Sequence, residues 1–348
     1  IVICTGAKPF IPDIPGLNDV NFVTSDTIWD IEVLPKKLLV LGAGPIGCEL
    51  AQSFQRLGSQ VIIVEAAPQI LFREDPDTAK VIEKQFVKEG IKILVSHTVI
   101  GFSVKQEQSQ AELLCNDNSV FEQFDTVLIA TGRKANVTGF GLQTLGIELS
   151  ERGTIVVNEY MQTKYKNIFA VGDVTGPFQL THAAAHQAWY AAVNGLFGRF
   201  KRFKVDYSVL PSVTYSDPEV ARVGINEQQA KLENIAIDVY QYQLDDLDRA
   251  IADGQDTGFV KVLTAKGSDK ILGATIVSNH ASDMLAEFTL AMRYKIGLNK
   301  ILSTIHPYPT MSEANKYVAG LWKKDNAPQK LLTLLEKYHH WTRTKGDS

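Results

Sequence analysis

The most constraining feature of this sequence is a glycine-spaced turn that joins an apolar run to a helical pattern. The segment 37–51 reads KLLVLGAGPIGCELA, which predicts a buried strand, a tight phosphate-binding loop and a helix. In such a loop Gly42 permits the turn, Gly44 lets the backbone approach a pyrophosphate, and Gly47 lets the helix pack closely against the strand. The pattern therefore predicts a site for a dinucleotide.

The residues after this loop strengthen the prediction. A helical pattern over 48–57 ends at a glycine, and an apolar run at 61–64 predicts a second buried strand. That strand ends on Glu65, which stands 23 residues after Gly42, close to the spacing of about 20 at which a carboxylate bonds the ribose 2′-hydroxyl. Because such a carboxylate repels a 2′-phosphate, we expect NAD(H) to be preferred over NADP(H).

Composition and charge narrow the class of protein. The chain has 348 residues, of which 45% are hydrophobic and 21% are charged, as in ordinary soluble proteins of two or three domains. A formal net charge of −4 argues against nucleic acid as a partner. No apolar run reaches membrane-spanning length, so we expect no membrane partner in this part of the chain.

The sequence predicts no metal site. Its cysteines, Cys4, Cys48 and Cys115, are too few and too scattered for a disulfide framework or a cysteine-based metal centre. His182 and His186 stand four residues apart, a spacing that can chelate a metal, but the sequence offers no third ligand beside them. We therefore expect a reducing, cytoplasmic setting and interpret Cys48 as a small packing residue.

A repeated pattern indicates that one domain is inserted in another. An apolar strand followed by Thr, Gly and a basic residue ends at Thr5-Gly6 and recurs at Thr131-Gly132. Between the copies, 76–90 carries a helical apolar stripe and alternating strands follow, which predicts one α/β unit. The C-terminal part then changes to the strands and helices of an α+β domain. The predicted domains are 1–33 (start of the flanking domain and a connection), 34–127 (dinucleotide-binding), 128–206 (rest of the flanking domain), 207–324 (α+β) and 325–348 (helical tail).

With these motifs in order, the chain resembles the class I FAD- and pyridine-nucleotide-dependent disulfide oxidoreductases, the family of glutathione reductase, dihydrolipoamide dehydrogenase and mercuric reductase. The family implies an α/β fold in which a Rossmann-like NAD-binding domain is inserted in an FAD-binding domain and is followed by an α+β dimerisation domain. It also implies FAD and NAD(H) as cofactors and a homodimer as the assembly. The motifs that carry the resemblance lie at 5–9 (TGAKP), 42–51 (GAGPIGCELA), 130–133 (ATGR), 170–173 (AVGD), 211–223 and 306–313 (HPYPTMSE).

The resemblance also implies which residues bind the cofactors. The two Thr-Gly segments cross between the FAD and NAD domains, Asp173 bonds the ribityl chain of the flavin, and the helix start at Thr181 and His182 faces the isoalloxazine. Glu49 lies beside the nicotinamide. The implied cofactor-binding residues are Thr5, Gly6, Gly42, Gly44, Pro45, Ile46, Gly47, Glu49, Glu65, Thr131, Gly132, Arg133, Gly172, Asp173, Thr181, His182 and Ala183.

The implied catalytic residues lie near the C-terminus. In this family the dimerisation domain supplies the residues at Tyr308 and Glu313 to the partner's active site, and His306 is open as either a polar neighbour or a spare base. The segments 71–76 (LFREDP) and 244–250 (LDDLDRA) most resemble mercuric reductase and its relatives. The implied path takes hydride from NADH through FAD to a cysteine pair and on to a thiophilic metal ion such as Hg(II). Two alternatives stay open. The chain is part of a dihydrolipoamide-dehydrogenase-like disulfide reductase, or it is a piece that only binds nucleotide and dimerises.

Tyr308 favours metal reduction over disulfide reduction. In relatives that reduce disulfides, a histidine stands five residues before the glutamate and moves protons to and from the dithiol, whereas here Tyr308 stands five residues before Glu313. The ordinary pKa of a phenol is near 10 against about 6.5 for an imidazole, so a phenol is a poor base at neutral pH. We therefore expect weak turnover of lipoamide or glutathione disulfide.

The chain departs from the family pattern at both ends. It begins with Ile1 inside an apolar run, so we expect the natural start to lie upstream, together with the first flavin-binding glycine loop and the redox-active C-x-x-x-x-C pair. The FAD site of these 348 residues is then expected to be incomplete. A terminal Cys-Cys pair, typical of mercuric reductase, is not found at 345–348.

Overall fold

The computed structural model describes residues 1–116 and 118–344. The chain divides into two compact units, Ile1–Asp217 and Pro218–Ser348. Residues 345–348 of the predicted tail lie outside the described residues. The finer domain boundaries within each unit stay predictions.

The first unit combines short strands with helices. Its helices are α1 (Pro45–Leu57), α2 (Pro76–Lys88) and α3 (Thr181–Phe197). Its strands are β1 (Val2–Ile3), β2 (Ala7–Pro9), β3 (Phe22–Thr24), β4 (Lys37–Leu41), β5 (Gln60–Glu65), β6 (Lys92–Val95), β7 (Thr98–Lys105), β8 (Gln108–Cys115), β9 (Asn118–Phe124), β10 (Thr126–Ile129), β11 (Arg133–Ala135), β12 (Phe169–Ala170) and β13 (Pro211–Thr214).

A parallel sheet with the strand order β3-β10-β4-β5-β6 lies at the centre of the dinucleotide-binding part. Val40 of β4 pairs with Leu128 on one side and Ile63 on the other, and all three side chains are fully buried. Such continuous apolar strands are expected where both faces of a parallel sheet are covered. Here α1 packs against β4 and β5, while Leu39 shares a core with Phe124 of the antiparallel sheet β7-β8-β9. The predicted α/β, Rossmann-like arrangement is confirmed.

The two Thr-Gly segments lie side by side. Strands β2 and β11 pair antiparallel, with Ala7 opposite Ala135. The amide of Asn136 donates to Gly6 O at 2.9 Å, and Thr5 Oγ1 donates to Asn136 O at 2.7 Å. The chain therefore leaves the flanking part and returns to it at one place, which is the arrangement expected of an inserted domain.

The flanking part is built from β1 and β12, which pair in parallel, and from α3. Its small core joins Ile3 of β1 to Ala170 of β12. The apolar stretch 154–158 forms one isolated bridge, from Ile155 to Leu149, in place of a strand, and the amide of Ile155 donates to Val174 O at 2.8 Å.

The second unit is an α+β fold, as expected for a dimerisation domain of this family. Its strands lie in the order β14-β17-β16-β15 and are antiparallel, with α6 against β14 and β17 and α8 against β15 and β16. The elements are β14 (Glu219–Gly224), α4 (Glu227–Leu232), β15 (Ile237–Gln243), α5 (Asp248–Asp253), β16 (Phe259–Ala265), β17 (Ile271–Ser278), α6 (Ala281–Arg293), α7 (Leu298–Ser303), α8 (Glu313–Asp325) and α9 (Gln329–Thr344).

Within the described part of the chain, no helix combines the length and the apolarity that crossing a bilayer requires.

Candidate cofactor and active sites

The loop between β4 and α1 has the shape of a pyrophosphate cradle. Gly42 has a φ of +102°, and a Cβ there would lie 2.6 Å from Ala130 O. A Cβ on Gly47 would lie 1.9 Å from Gly42 O, so α1 approaches β4 too closely for any larger residue. A Cβ on Gly44 would meet nothing within 4 Å, which leaves open space above the loop. A side chain would thus collide with backbone at Gly42 and Gly47 and meet open space at Gly44, which is the steric pattern that a pyrophosphate cradle requires.

The first turn of α1 offers hydrogen-bond donors to this open space. The first amides of a helix have no acceptor within the helix, and here they belong to Ile46 and Gly47, since Pro45 has no N–H. Gly44 caps the helix and has no side chain to satisfy them. With the positive end of the helix dipole, these amides fit a pyrophosphate.

Glu65 is held at the same loop by two backbone amides. Its Oε2 accepts from Ala43 N at 2.7 Å and its Oε1 accepts from Ala67 N at 2.8 Å. Because each carboxylate oxygen has a second lone pair, both oxygens keep capacity for a ribose hydroxyl. The observed geometry therefore fits a dinucleotide, although the assigned roles of these residues stay predictions.

Gly44→Ala is expected to weaken NADH binding at least about tenfold with only a small loss of stability. The new methyl group would enter open space on the ligand side of the loop, where it would displace the phosphates without touching other protein atoms. Loss of one hydrogen bond to a charged group weakens binding by about 1.5–3 kcal/mol. Titration calorimetry with NADH and thermal unfolding measure the two effects. Gly101→Ala in β7 is the matched control, because its Cβ would meet only Pro15 O at 3.9 Å. Unchanged affinity of Gly44→Ala would contradict the phosphate role.

Glu49 and Cys48 follow one another in α1 but differ in environment. Glu49 Oε1 accepts from Tyr215 N at 2.8 Å, and burial raises the pKa of this carboxyl above its ordinary value. Cys48 is fully buried and its thiol donates to Ala43 O at 3.3 Å; burial raises the pKa of this thiol strongly. A buried thiol with a raised pKa is unreactive, which confirms Cys48 as a packing residue.

The residues that the resemblance assigns to flavin meet around β11 and the end of β12. Arg133 Nη2 donates to Ala7 O at 2.7 Å, and its Nε lies 3.5 Å from Asp173 Oδ2. The amide of Gly172 donates to the buried Gln187 Oε1 at 2.6 Å, which fixes the turn that presents Asp173.

The second Thr-Gly segment is tied to the first connection. Thr131 Oγ1 donates to Phe10 O at 3.0 Å, and Phe10 N donates to Gly132 O at 2.9 Å. The structure thus brings the predicted crossing residues together in one unit.

The start of α3 presents Thr181 and His182 at the surface, with Ala183 buried beneath them. A ring nitrogen of His182, Nε2, lies 2.8 Å from Pro211 O. The ring of His186, one turn later, packs edge-on against Tyr190. Both histidines are exposed, so the flavin-facing role that the resemblance implies for His182 stays a prediction.

In the second unit, the loop before α8 carries the predicted catalytic residues. Tyr308 is 69% exposed, and its hydroxyl donates to Asp248 Oδ2 at 2.8 Å. This hydrogen bond, followed by the charge of Asp248 and then of Glu313, raises the pKa of Tyr308 above its ordinary value. The phenol is therefore a hydrogen-bond donor and not a base at neutral pH.

Glu313 is buried at the start of α8 and already has two partners. Its Oε2 accepts from Thr310 N at 3.1 Å, and its Oε1 accepts from the hydroxyl of Tyr317 at 3.3 Å. The ring of Tyr317 lies 5.2 Å from that of Tyr242, whose pKa is raised to about 12 by burial and by Asp246. In this cluster, the nearby carboxylates raise the pKa values of the tyrosine phenols and so keep these phenols protonated.

His306 is enclosed by acceptors. Its Nε2 lies 3.0 and 3.2 Å from the two carboxylate oxygens of Glu287, and its Nδ1 lies 3.2 Å from Thr304 O. Glu287 Oε2 also accepts from the fully buried Asn315 Nδ2 at 2.9 Å. Since both ring nitrogens already face acceptors of the protein, a substrate would have to displace one of these contacts to reach the imidazole.

Sequence reasoning did not identify Asp248 or Glu287. Asp248 does lie within the 244–250 motif, so its local sequence marked the segment that contains it. Glu287 lies in α6, 19 residues before His306, and nothing in its local sequence marks it as a partner.

The cradle, the inserted arrangement and the α+β unit define the class of protein: a multidomain protein with a Rossmann-like fold for a dinucleotide. More specifically, the chain belongs to the pyridine nucleotide-disulphide oxidoreductase family. The family model matches residues 1–188, and the model of the family's dimerisation domain matches residues 210–319. The family depends on FAD and on NAD(H) or NADP(H).

Relatives of two activities are similarly close. The chain is 36% identical over 314 residues to a dihydrolipoyl dehydrogenase of Chlamydia pneumoniae, covering 90% of this chain and 66% of that protein. It is 32% identical over 324 residues to a mercuric reductase of Staphylococcus aureus, covering 93% and 59%. The chain thus spans about two thirds or less of the length of these relatives.

Among solved structures, the chain is similar to a Cu(II) complex of the HOCl-induced flavoprotein disulfide reductase RclA from Escherichia coli. The TM-score is 0.83 and the identity 30%, with 91% of this chain and 72% of that chain covered.

Proposed function

We propose that this chain is the NADH-binding, flavin-contacting and dimerising part of a reductase whose acceptor is a thiophilic metal ion such as Hg(II), or a chemically related species. One observation carries the proposal: the position five residues before Glu313 holds a phenol, Tyr308, which donates to Asp248 and has a raised pKa.

The residues of this chain have three tasks in the proposed reaction. The Gly42–Gly47 loop and the first amides of α1 bind the pyrophosphate, and Glu65 orients the ribose. When bound, NADH supplies hydride and FAD relays electrons to a cysteine pair. Asp173, Arg133 and the start of α3 contribute the flavin-facing surface that this chain contains.

Disulfide reduction needs a base that this loop does not offer. A dithiol with an ordinary pKa of about 8.5 must lose and regain protons during turnover, and a general base contributes about 10² to 10⁴ in rate. The phenol of Tyr308 stays protonated, and both nitrogens of His306 face acceptors. Reduction of a metal ion, in contrast, requires at this position a group that coordinates the ion or donates a hydrogen bond, and not a base.

The test compares electron acceptors and uses the natural protein that contains this chain. NADH oxidation is followed with thiol-buffered Hg(II), with lipoamide and with glutathione disulfide. We expect kcat/KM for Hg(II) to exceed the others by about 10² or more. Fast lipoamide reduction would instead establish the second candidate, a dihydrolipoyl-dehydrogenase-like activity, which the 36% identity to the Chlamydia pneumoniae enzyme favours.

The third candidate is a piece that binds nucleotide and dimerises without turnover. No two of the cysteines in these 348 residues have the C-x-x-x-x-C spacing, so the 348-residue chain alone is expected to bind NADH, to hold FAD weakly and to reduce neither disulfides nor Hg(II). Absorption spectra of the purified chain, with and without added FAD, and NADH-oxidation assays check this. Stoichiometric flavin together with turnover would contradict it.

A homodimer is also proposed, on the basis of the dimerisation-domain match at 210–319. Sedimentation velocity of the 348-residue chain measures the assembly directly, and a strictly monomeric species across the micromolar range would contradict this part of the proposal.

A further inference from the structure

Helix α9 presents a broad apolar face to solvent. Its leucines, Tyr338 and Trp341 are between 41% and 66% exposed, and every residue of 329–343 is exposed. At about 3.6 residues per turn, these apolar residues share one side of the helix and cover about half of its circumference, and His339 and Thr342 lie on the same side near its C-terminal end. The residues of this apolar face are Leu331, Leu332, Leu334, Leu335, Tyr338 and Trp341.

The charges of α9 border this apolar face. Lys330 and Lys337 lie along one edge, beside Trp341, and Arg343 lies along the other; Glu336 is the single acidic residue in the helix. Three positive charges and one negative charge give α9 a net charge of +2, whereas the whole chain carries −4. The helix is therefore a local cationic element in an acidic protein.

We propose that α9 binds the surface of a membrane that contains anionic lipids, which revises the expectation of no membrane partner, since that expectation considered only segments long enough to span a bilayer. A helix with a polar face rich in Lys and Arg, an apolar face of Leu with Tyr or Trp, and low net hydrophobicity lies in the headgroup region with its apolar face buried in the lipid. The 16 residues of α9 are fewer than the ~20 that span a bilayer. The proposed contact is therefore attachment to one leaflet.

The same observations disfavour a second copy of this chain as the occupant. A coiled-coil seam repeats over about three to four heptads and uses two positions in seven, but α9 has about two heptads and a wider apolar face. Pairing two copies would also bring together two helices of charge +2. The α9 helix lies beyond residue 319, where the match to the dimerisation domain ends, so the membrane contact is independent of the function proposed above.

Vesicle flotation of the 348-residue chain tests the proposal. We expect the chain to float with phosphatidylcholine vesicles that contain phosphatidylglycerol, to bind pure phosphatidylcholine vesicles much more weakly, and to lose binding to the anionic vesicles as salt is raised. Because each basic residue near an anionic surface strengthens binding about fivefold, Lys330→Gln with Lys337→Gln should weaken it about 25-fold.

Two further variants separate the apolar face from the rest of the helix. Leu331→Ser with Leu335→Ser should weaken binding about 100-fold; both leucines are exposed, so the fold should persist and far-UV circular dichroism should be nearly unchanged. Gln329→Ser with Thr333→Ser puts the same two serines on the polar face and should bind like the parent chain.

Three results would overturn the proposal. The first is absence of binding to the anionic vesicles, and the second is equal binding by all variants. The third is a change of oligomeric state, measured by sedimentation velocity, in Leu331→Ser with Leu335→Ser at unchanged vesicle affinity, since that would identify the face as a contact between copies.

Discussion

Replacement of Tyr308 by histidine is expected to raise lipoamide turnover by the natural enzyme by about 10² or more. An imidazole has an ordinary pKa of about 6.5 and is therefore about three quarters deprotonated at pH 7, whereas the hydrogen bond to Asp248 raises the pKa of the present phenol above its ordinary value. The new side chain would have the carboxylates of Asp248 and Glu313 in its surroundings, as a base needs for orientation. Steady-state kinetics with NAD⁺ and dihydrolipoamide, and with NADH and lipoamide, measure the gain.

Tyr308→Phe is the matched control for this gain. It removes the hydroxyl and supplies no base, so lipoamide turnover should stay low while reduction of the metal ion falls. Since the side chain is 69% exposed, neither substitution should affect folding. If the unmutated enzyme already reduces lipoamide as fast as Hg(II), or if Tyr308→His brings no gain, the role assigned to this position is wrong.

The dinucleotide cradle could be predicted from sequence because its logic is local. Gly42 needs a positive φ and Gly47 needs a close approach of backbones, and both requirements leave a mark at fixed spacing in one short segment. The helix was expected over 48–57, but α1 begins at Pro45. Proline is well suited to the first helical position because it lacks the amide that would be unsatisfied there.

The partners of the catalytic loop could not be predicted in the same way. Asp248 meets Tyr308 across 60 residues of sequence, and Glu287 meets His306 across 19. A single carboxylate has no periodicity and no spacing rule, so only the packing of α5 and α6 in the folded unit reveals these pairs. His306 illustrates the consequence: the sequence left it open as a spare base, and its two acceptor-facing nitrogens argue against that role.

The second large effect concerns the choice between NADH and NADPH. We expect the 348-residue chain to bind NADH at least about 30-fold more tightly than NADPH. The Glu65 carboxylate is fixed by Ala43 N and Ala67 N and cannot swing away from a 2′-phosphate. Like charges about 4 Å apart near a protein surface repel by ~4 kcal/mol, and screening of half of that leaves about a 30-fold effect.

Glu65→Gln separates the charge from the shape at this position. The amide keeps one acceptor oxygen for the loop and removes the negative charge, so the affinity for NADPH should rise and the ratio of the two Kd values should fall about tenfold or more. Glu83→Gln, at an exposed position of α2, is the control, because it removes one negative charge of the same domain away from the cradle.

The nearest cation along the chain after Glu65 is Arg73, whose guanidinium carbon lies 5.6 Å from the centroid of the Phe72 ring. If the unmutated chain binds both cofactors equally, the charge of Glu65 does not set the preference, and Arg73→Ala then shows whether this arginine compensates for the carboxylate.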